Sequence, residues 1–583
     1  MLRKTKIIAT IGPASEKIET IKKMMAAGLN VARLNFSHGT HDEHRQRILN
    51  LRQAAEESQG LLAIMLDTSG PEIRTGRLAD GVVKLEVGQR FVLTSRDVPG
   101  NHEEVQVSYA NLPQEVTPGT SILISDGLIN LKVEETTPTD VVCRVMNGGE
   151  LGERKGINVP GVRINMSFMT DKDREDILFG IEMKVDFIAA SFVRTAEDVL
   201  EIRRILEQKG ADIDIIAKIE SQEGVNNLDD IIQVVDGVMV ARGDLGVEIP
   251  AEEVPLVQKL VVDKCTSAGK AVIIATQMLD SMINNPRPTR AEVSDVANAI
   301  FDGADAIMLS GETAAGKYPV EVVETMARIA ARSEQALPYA DILRRKRTRE
   351  NISVTDAISY ATCATATNLG ASTIITSTHT GYTARMVAKY RPQANIVAAT
   401  PNRAILQKMA LVWGVYPVLI QTTSGTDELF EESIRAALSC GYIENGDLVI
   451  LTAGVPTGHS GATNLMKVHI VGEILVQGMG IGSEIAKGPV RIIDFSEDVS
   501  RVQPGDIVVI HSAESSLAPY LSQIGALIAE EGGLTSNAAI MGLQARIPVI
   551  VGAQDATSKL EEGMLVTVDT PRGRVYKGLA QVL

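Results

Sequence analysis

The sequence predicts an α/β chain built on a (β/α)8 barrel, with a β domain inserted into it and two smaller domains after it. Three observations carry this expectation. Eight short apolar runs, many ending in polar residues or glycine, alternate with amphipathic stretches such as Glu16–Ala27 and Ala196–Gln208; that is the signature of parallel strands joined by crossover helices. One connection, from about Pro71 to Phe168, instead alternates apolar and polar residues around turn signals such as Ser125-Asp126-Gly127, with no obvious helix. The length of 583 residues suggests about four domains.

In chain order the barrel strands are expected at Lys6–Ile11, Val31–Asn35 and Leu62–Asp67, then, past the insertion, at Phe187–Ser191, Ile215–Glu220, Gly237–Ala241, Ala271–Thr276 and Ala306–Ser310. Residues 1–70 and 169–340 thus form the barrel domain, and residues 71–168 form an inserted β-barrel domain able to act as a lid over the barrel mouth. The basic run Arg344–Arg349 reads as a solvated linker or helix end in so acidic a chain. Residues 341–475 read as an α/β domain with strands at Ser372–Ser377, Asn395–Thr400, Leu448–Leu451 and Met466–Val471. Gly478–Ser483 reads as a flexible boundary, within a small C-terminal domain of residues 476–583.

Composition narrows the function classes. Hydrophobic residues at 44% and charged residues at 22% fit an ordinary globular protein. Aromatics at 3% leave the cores to aliphatic side chains and Met. A net charge of −16 argues against nucleic acid and anionic membrane as partners. An anionic substrate therefore needs a local positive pocket. Four scattered cysteines without a CxxC pair indicate neither a zinc site nor a disulfide framework. Met1–Ile8 enters a strand at once, leaving no room for a signal peptide, and no apolar stretch reaches membrane-spanning length. A cytoplasmic location follows by elimination.

The richest segment is Ile213-Asp-Ile-Ile-Ala-Lys-Ile-Glu-Ser-Gln-Glu-Gly-Val225. On a strand, Lys218 and Glu220 share a face. The run Gly237–Asp244 ends in another carboxylate. Two carboxylates beside one lysine suit a divalent metal and an anionic substrate; a structural ion pair explains this segment alone equally well. The other expected strand ends add Arg33, Asn35, Ser37, Asp67, Thr68, Ser191, Thr276, Ser310 and Glu312, at the rim where such barrels carry their active sites.

Six motifs in order, Asn30–Gly39, Leu66–Arg74, Ile216–Glu220, Ala241–Gly246, Ala275–Leu279 and Leu309–Thr313, resemble the pyruvate kinase family, and the match extends to about residue 475. The resemblance implies magnesium- and potassium-dependent phosphoryl transfer from phosphoenolpyruvate to ADP, giving pyruvate and ATP, in a homotetramer. Glu220 and Asp244 then resemble magnesium (or manganese) ligands, and Lys218 the lysine that neutralises the transferring phosphoryl group. Arg33 and Ser191 resemble substrate contacts. The amides of Gly243 and Asp244, with Thr276, resemble a carboxylate-binding set. Asn35, Ser37, Asp67 and Thr68 resemble a potassium site, with Glu72 marking the potassium-dependent form. Arg74, His38, Asn35 and Lys155 resemble nucleotide contacts, and Ser310 and Glu312 part of the proton-delivery network. Ser69 stands where many relatives carry lysine, and Met166-Ser-Phe168 replaces a commonly proline-containing return hinge. Two other classes compete: a barrel lyase using Lys218 as a Schiff base, and a metabolite sensor that has lost turnover.

The loop Ser377–Thr383 follows an expected strand and opens a helix. Its hydroxyls and amides can cradle a phosphate, although an ordinary αβ turn has the same composition. By resemblance Ser377, Thr378, Thr380, Gly381 and Thr383 form the site of a phosphorylated small-molecule effector, with Gly454–Thr463 as a second wall. Gly532–Asn537 resembles the swivelling domain of phosphoenolpyruvate-utilising enzymes, with Asn537 where those place a phosphorylatable histidine. An amide lacks the nucleophilic ring nitrogen, so this domain is expected to be non-catalytic.

Overall fold

The structure is a computed structural model that describes residues 2–346, 353–423, 425–455, 463–472, 474–494 and 496–580. It divides into two compact units, residues 1–338 with 404–415, and residues 339–403 with 416–583.

The first unit is built on a closed barrel of eight strands: β1 (Lys6–Thr10), β2 (Val31–Asn35), β3 (Ala63–Asp67), β4 (Phe187–Ala190), β5 (Asp214–Ile219), β6 (Gly237–Ala241), β7 (Ala271–Ala275) and β8 (Ala306–Leu309). Each strand pairs in parallel with its sequence neighbours, and β1 closes on β8. All eight expected strands form; five end one residue earlier than expected, at Thr10, Ala190, Ile219, Ala275 and Leu309. The helices are held by capping boxes where a Thr faces an acid three residues on, as at Thr40/Glu43, Thr170/Asp173, Thr195/Asp198 and Thr289/Glu292.

Strand alternation divides the side chains into two cores. One set packs outward against the helices, with Ile7, Leu34, Leu66, Ile188 and Ile274 among it. The other fills the bore, with Val31, Met65, Phe187, Ile216, Met239 and Met308. Ala410 and Leu411 join this inner core from the later segment 404–415. That segment is pinned by Lys408 Nζ to Asp212 at 2.6 Å and Asp214 at 2.7 Å. Trp413 N donates to Asp305 Oδ1 at 3.1 Å, and Lys6 Nζ donates to Val415 O at 2.6 Å.

Between β3 and β4 the chain forms a seven-stranded sheet and a two-stranded ribbon around their own aliphatic core. One turn of helix, Leu112–Glu115, interrupts a stretch in which the sequence shows none.

In the second unit a five-stranded α/β sheet contains the four expected strands and a fifth, Val415–Leu419, at its edge. Pro417 disguises that strand, because proline cannot donate to a ladder and is tolerated only at an edge. Arg344–Lys346 end the helix Tyr339–Lys346; the rest of the basic run, and residues 456–462 of the expected second effector wall, lie outside the described residues. The C-terminal sheet has eight strands. Gly478–Ser483 is not a flexible boundary: Met479–Ile481 pairs antiparallel with Val549–Val551. A Cβ on Gly480 would lie 1.7 Å from Thr570 O, so its glycine serves close backbone approach rather than mobility.

Candidate active site

The bore residues end two positions before the polar ones. Val31 precedes Arg33, Met65 precedes Asp67, Ile216 precedes Lys218, and Met308 precedes Ser310. The same alternation that fills the barrel thus aims the polar side chains into its C-terminal mouth.

Arg33, Asp67, Ser191, Lys218 and Glu220 form one network there. Arg33 Nε donates to Asp67 Oδ2 at 2.6 Å. Lys218 Nζ reaches Ser191 Oγ at 2.6 Å, Glu220 Oε1 at 2.9 Å and Asp67 Oδ1 at 3.1 Å. Ser191 Oγ donates to Thr68 O at 2.7 Å. Asp67 and Glu220 are each 1% exposed, so these charges survive only through one another. Burial alone would lower the Lys218 ammonium's pKa, but Asp67 and Glu220 outweigh it and hold the pKa above the ordinary lysine value. Burial alone would raise Asp67, but Arg33 and Lys218 hold its pKa below the usual range.

Glu220 and Asp244 behave differently. Burial pushes both carboxyls upward, and Lys218 offsets only part of this; Asp244 raises Glu220 further, while a hydrogen bond between the two carboxyls lowers Asp244. Such a pair wants one proton or one cation. The residues therefore fit a divalent metal, with Glu220 and Asp244 as its holders. Magnesium is a cation that takes one or two carboxylates and completes its shell from substrate oxygens and water. The proposed monovalent set, Asn35, Ser37, Asp67 and Thr68, supplies only oxygen donors among its side chains. Asn35 Oδ1 accepts from Ser37 N at 3.1 Å, and Thr68 Oγ1 accepts from Ser191 N at 3.1 Å.

Thr276 sits at the end of β7 with φ +69°, followed by Gln277 at +53°. A β-branched residue in that region is strained. Arg242 holds the turn: its Nη2 donates to Thr276 O at 2.8 Å, while Nη1 and Nη2 grip Asp295 at 2.7 Å each. Gly243 N donates to Thr276 Oγ1 at 2.8 Å, so this expected substrate-binding amide is occupied. Glu312, 2% exposed, accepts from Ser310 N at 2.6 Å and Leu279 N at 3.2 Å. Burial raises its pKa, and these bonds make it a brace for the Thr276 and Ser310 turns.

A cleft of about 840 Å3 joins the inserted domain to this rim. His38, Glu72, Arg74 and Lys155 line it together with Glu220 and Asp244. His38 is exposed; the buried histidine is His44, stacked on Phe36 at 3.9 Å. Arg74 Nε donates to Glu72 Oε2 at 2.6 Å. The unusual return hinge is pinned by Arg194, whose guanidinium donates to Ile164 O at 3.1 Å and Met166 O at 2.9 Å. Beside Ser69, Lys172 supplies an ammonium, 3.4 Å from Ser69 Oγ and 2.6 Å from Phe36 O.

Sequence reasoning missed Thr10, whose hydroxyl accepts from Arg33 Nη1 at 3.0 Å. It also missed Phe192, whose amide donates to Glu220 Oε2 at 2.5 Å, and Arg242 and Lys172. Thr10 follows an apolar run as the other rim residues do, and that signal could have found it. The other three act through backbone atoms or long side chains.

In the α/β domain, Ser377 and Thr383 are buried and their hydroxyls meet Ser433 Oγ at 3.1 Å and Thr463 Oγ1 at 2.9 Å. Thr378 is also buried, Thr380 is exposed, and Gly381 takes φ +76° at the start of Tyr382–Ala388. Asn537 opens the helix Asn537–Ala545, with Nδ2 3.4 Å from Ala513 O.

Fold and site together define a (β/α)8-barrel protein with an inserted β domain and a mouth in which Arg33 and Lys218 meet paired carboxylates. Family models match along the chain: pyruvate kinase barrel domain over residues 2–323, pyruvate kinase alpha/beta domain over 356–469, and the mobile domain of PEP-utilising enzymes over 502–573. The chain belongs to the pyruvate kinase family. It is 52% identical to a pyruvate kinase of Geobacillus stearothermophilus and 53% identical to one of Bacillus licheniformis, each over the whole of both chains. A crystal structure of a pyruvate kinase from Cryptosporidium parvum superposes with TM-score 0.77 at 40% identity, covering 80% of this chain and 96% of that one. Among the described residues no helix is long and apolar enough to cross a membrane.

Proposed function

We propose that this chain transfers the phosphoryl group of phosphoenolpyruvate to ADP, giving pyruvate and ATP. The carrying observation is the Lys218 ammonium, held by Asp67, Ser191 and Glu220 in a buried mouth that also contains Arg33. Phosphoryl transfer needs positioned charge more than covalent help. Arg33 grips the substrate phosphate, and Lys218 neutralises the phosphoryl oxygens during transfer. A magnesium ion held by Glu220 and Asp244 would add charge neutralisation at the same oxygens, and potassium at Asn35, Ser37, Asp67 and Thr68 would add more. The substrate carboxylate is met by the Asp244 amide. Arg74, His38, Asn35 and Lys155 receive the nucleotide across the cleft, and closure of the inserted domain excludes water.

Carbon protonation of enolpyruvate completes the reaction. The Thr276 proton is engaged with Ala275 O at 2.6 Å, and one lone pair takes the Gly243 amide. Its second lone pair orients a water that delivers the proton, with Ser310 and Glu312 supporting the turn. We also assign a phosphorylated effector to the Ser377–Thr383 loop, a homotetrameric assembly, and a bracing or regulatory role without phosphoryl carriage to the C-terminal domain.

The lyase reading is disfavoured by the carboxylates that keep Lys218 protonated, since a Schiff-base lysine must shed its proton. Coupled turnover of phosphoenolpyruvate and ADP, with magnesium and with or without potassium, tests the proposal. Potassium-stimulated turnover is expected. Phosphoenolpyruvate binding without turnover would favour the sensor.

A further inference from the structure

The inserted domain contains a second cavity that the proposed reaction does not use. It measures about 690 Å3 and shares only Arg74 and Arg154 with the cleft. Arg77 lines this cavity alone. Three arginines thus line one space, against a single acid, Asp97. Among the described residues Arg77, Arg154 and Asp97 form no ion pair. Arg74 is paired with Glu72, but Arg77 and Arg154, both exposed, leave this space with a local positive charge in a chain of net charge −16, and such a concave positive site attracts anions.

The cavity is also ordered. Arg74 is fixed by Glu72 and by Arg154 O, to which its Nη1 donates at 3.1 Å. Arg154 holds φ +54° while its N donates to Gly76 O at 3.2 Å. Gly76 lies so close to Gln106 that a Cβ would fall 2.9 Å from the Gln106 Cβ, so the backbone there cannot carry a side chain into the space. Val98 and Pro99 add an apolar wall, and Gln106 and Ser108 add polar atoms.

We propose that this cavity binds a small phosphate-bearing anion. Guanidinium forks match phosphate oxygens bidentately, and the volume lies within the range of small-molecule sites. An occupant draws on Arg74 and Arg154 and so weakens nucleotide binding in the cleft. That consequence rests on the proposed nucleotide role of Arg74; the binding itself does not.

Calorimetric titration of the full chain without divalent cation, using inorganic pyrophosphate and a hexose monophosphate as separate probes, tests the site. Saturable binding of at least one probe is expected, falling tenfold or more in Arg77→Gln. Val98→Asp, which adds a repelling carboxylate and removes no arginine, is expected to give the same loss. The Michaelis constants for phosphoenolpyruvate and ADP in either variant, measured without probe, should stay at the parental values. Tighter pyrophosphate binding identifies a purely inorganic ligand; tighter hexose phosphate binding identifies one that uses the Val98–Pro99 wall. Absence of saturable binding by both probes, or binding that both variants retain in full, overturns the proposal. Neither outcome touches turnover, which tests the proposed function separately.

Discussion

Gly243 N and Thr276 Oγ1 are joined by a 2.8 Å hydrogen bond across two strand ends. A threonine held at φ +69° therefore has its oxygen aimed by the neighbouring backbone, and its remaining lone pair is fixed in direction. Thr276→Val is expected to lower kcat by about a hundredfold, the lower range for a proton-transfer group, and to abolish methyl-proton exchange on pyruvate. Full exchange in the valine variant would remove Thr276 from the proton path.

Glu220 and Asp244 make the opposite use of proximity: both are raised first by burial, and repulsion from Asp244 raises Glu220 further, while a hydrogen bond with Glu220 holds Asp244 down. Glu220→Gln relieves that repulsion and deletes one metal oxygen. The half-saturating magnesium concentration should rise by about tenfold or more, the scale on which disturbed ligand shells respond. A magnesium titration of initial rate decides this, and an unchanged curve would place the ion elsewhere.

Glu72 is tied to Arg74 and lines the cleft. Glu72→Lys places a fixed cation there. The ratio of rates with and without potassium should fall toward one, with activity retained in its absence. Undiminished potassium stimulation would detach Glu72 from the monovalent site.

Asp186 offers a pH test away from the chemistry. Burial raises its carboxyl from the ordinary 3.8 to about 6, even though Ile64 N donates to it. The folded chain thus binds this proton more tightly than the unfolded chain does. The resulting stabilisation is fully present below pH 3.8 and is lost as pH rises through 6. Its size is on the order of 3 kcal/mol. Asp186→Asn should remove that part of the pH slope; parallel denaturation curves of parent and variant at pH 4.5 and 7 would refute it.

How much of this was readable in advance follows from which interactions are local. Lys218 and Glu220 share a face because of strand alternation alone, so their pairing was legible from two residues' spacing. The same rule placed Arg33, Asp67 and Ser310 at the mouth. Arg242 was not legible, since its partners Asp295 and Thr276 lie on other elements and nothing in the run Ala241–Gly246 separates a brace from a ligand. The occupied Gly243 amide depends on a left-handed threonine that no periodicity announces. Val415–Leu419 was hidden by Pro417, and Met479–Ile481 by its glycines.

The floor of the barrel has a consequence for how this chain comes into being. Ala410 and Leu411 fill the bore from a stretch that follows the last barrel strand only after the strands Thr373–Ser377 and Asn395–Thr400. Synthesis from the N-terminus therefore produces all eight barrel strands while the apolar well they surround is still open at its base. A chain stopped at residue 338 keeps every proposed catalytic side chain yet lacks its stopper. The catalytic unit becomes complete only when the ribosome has passed well into the next domain.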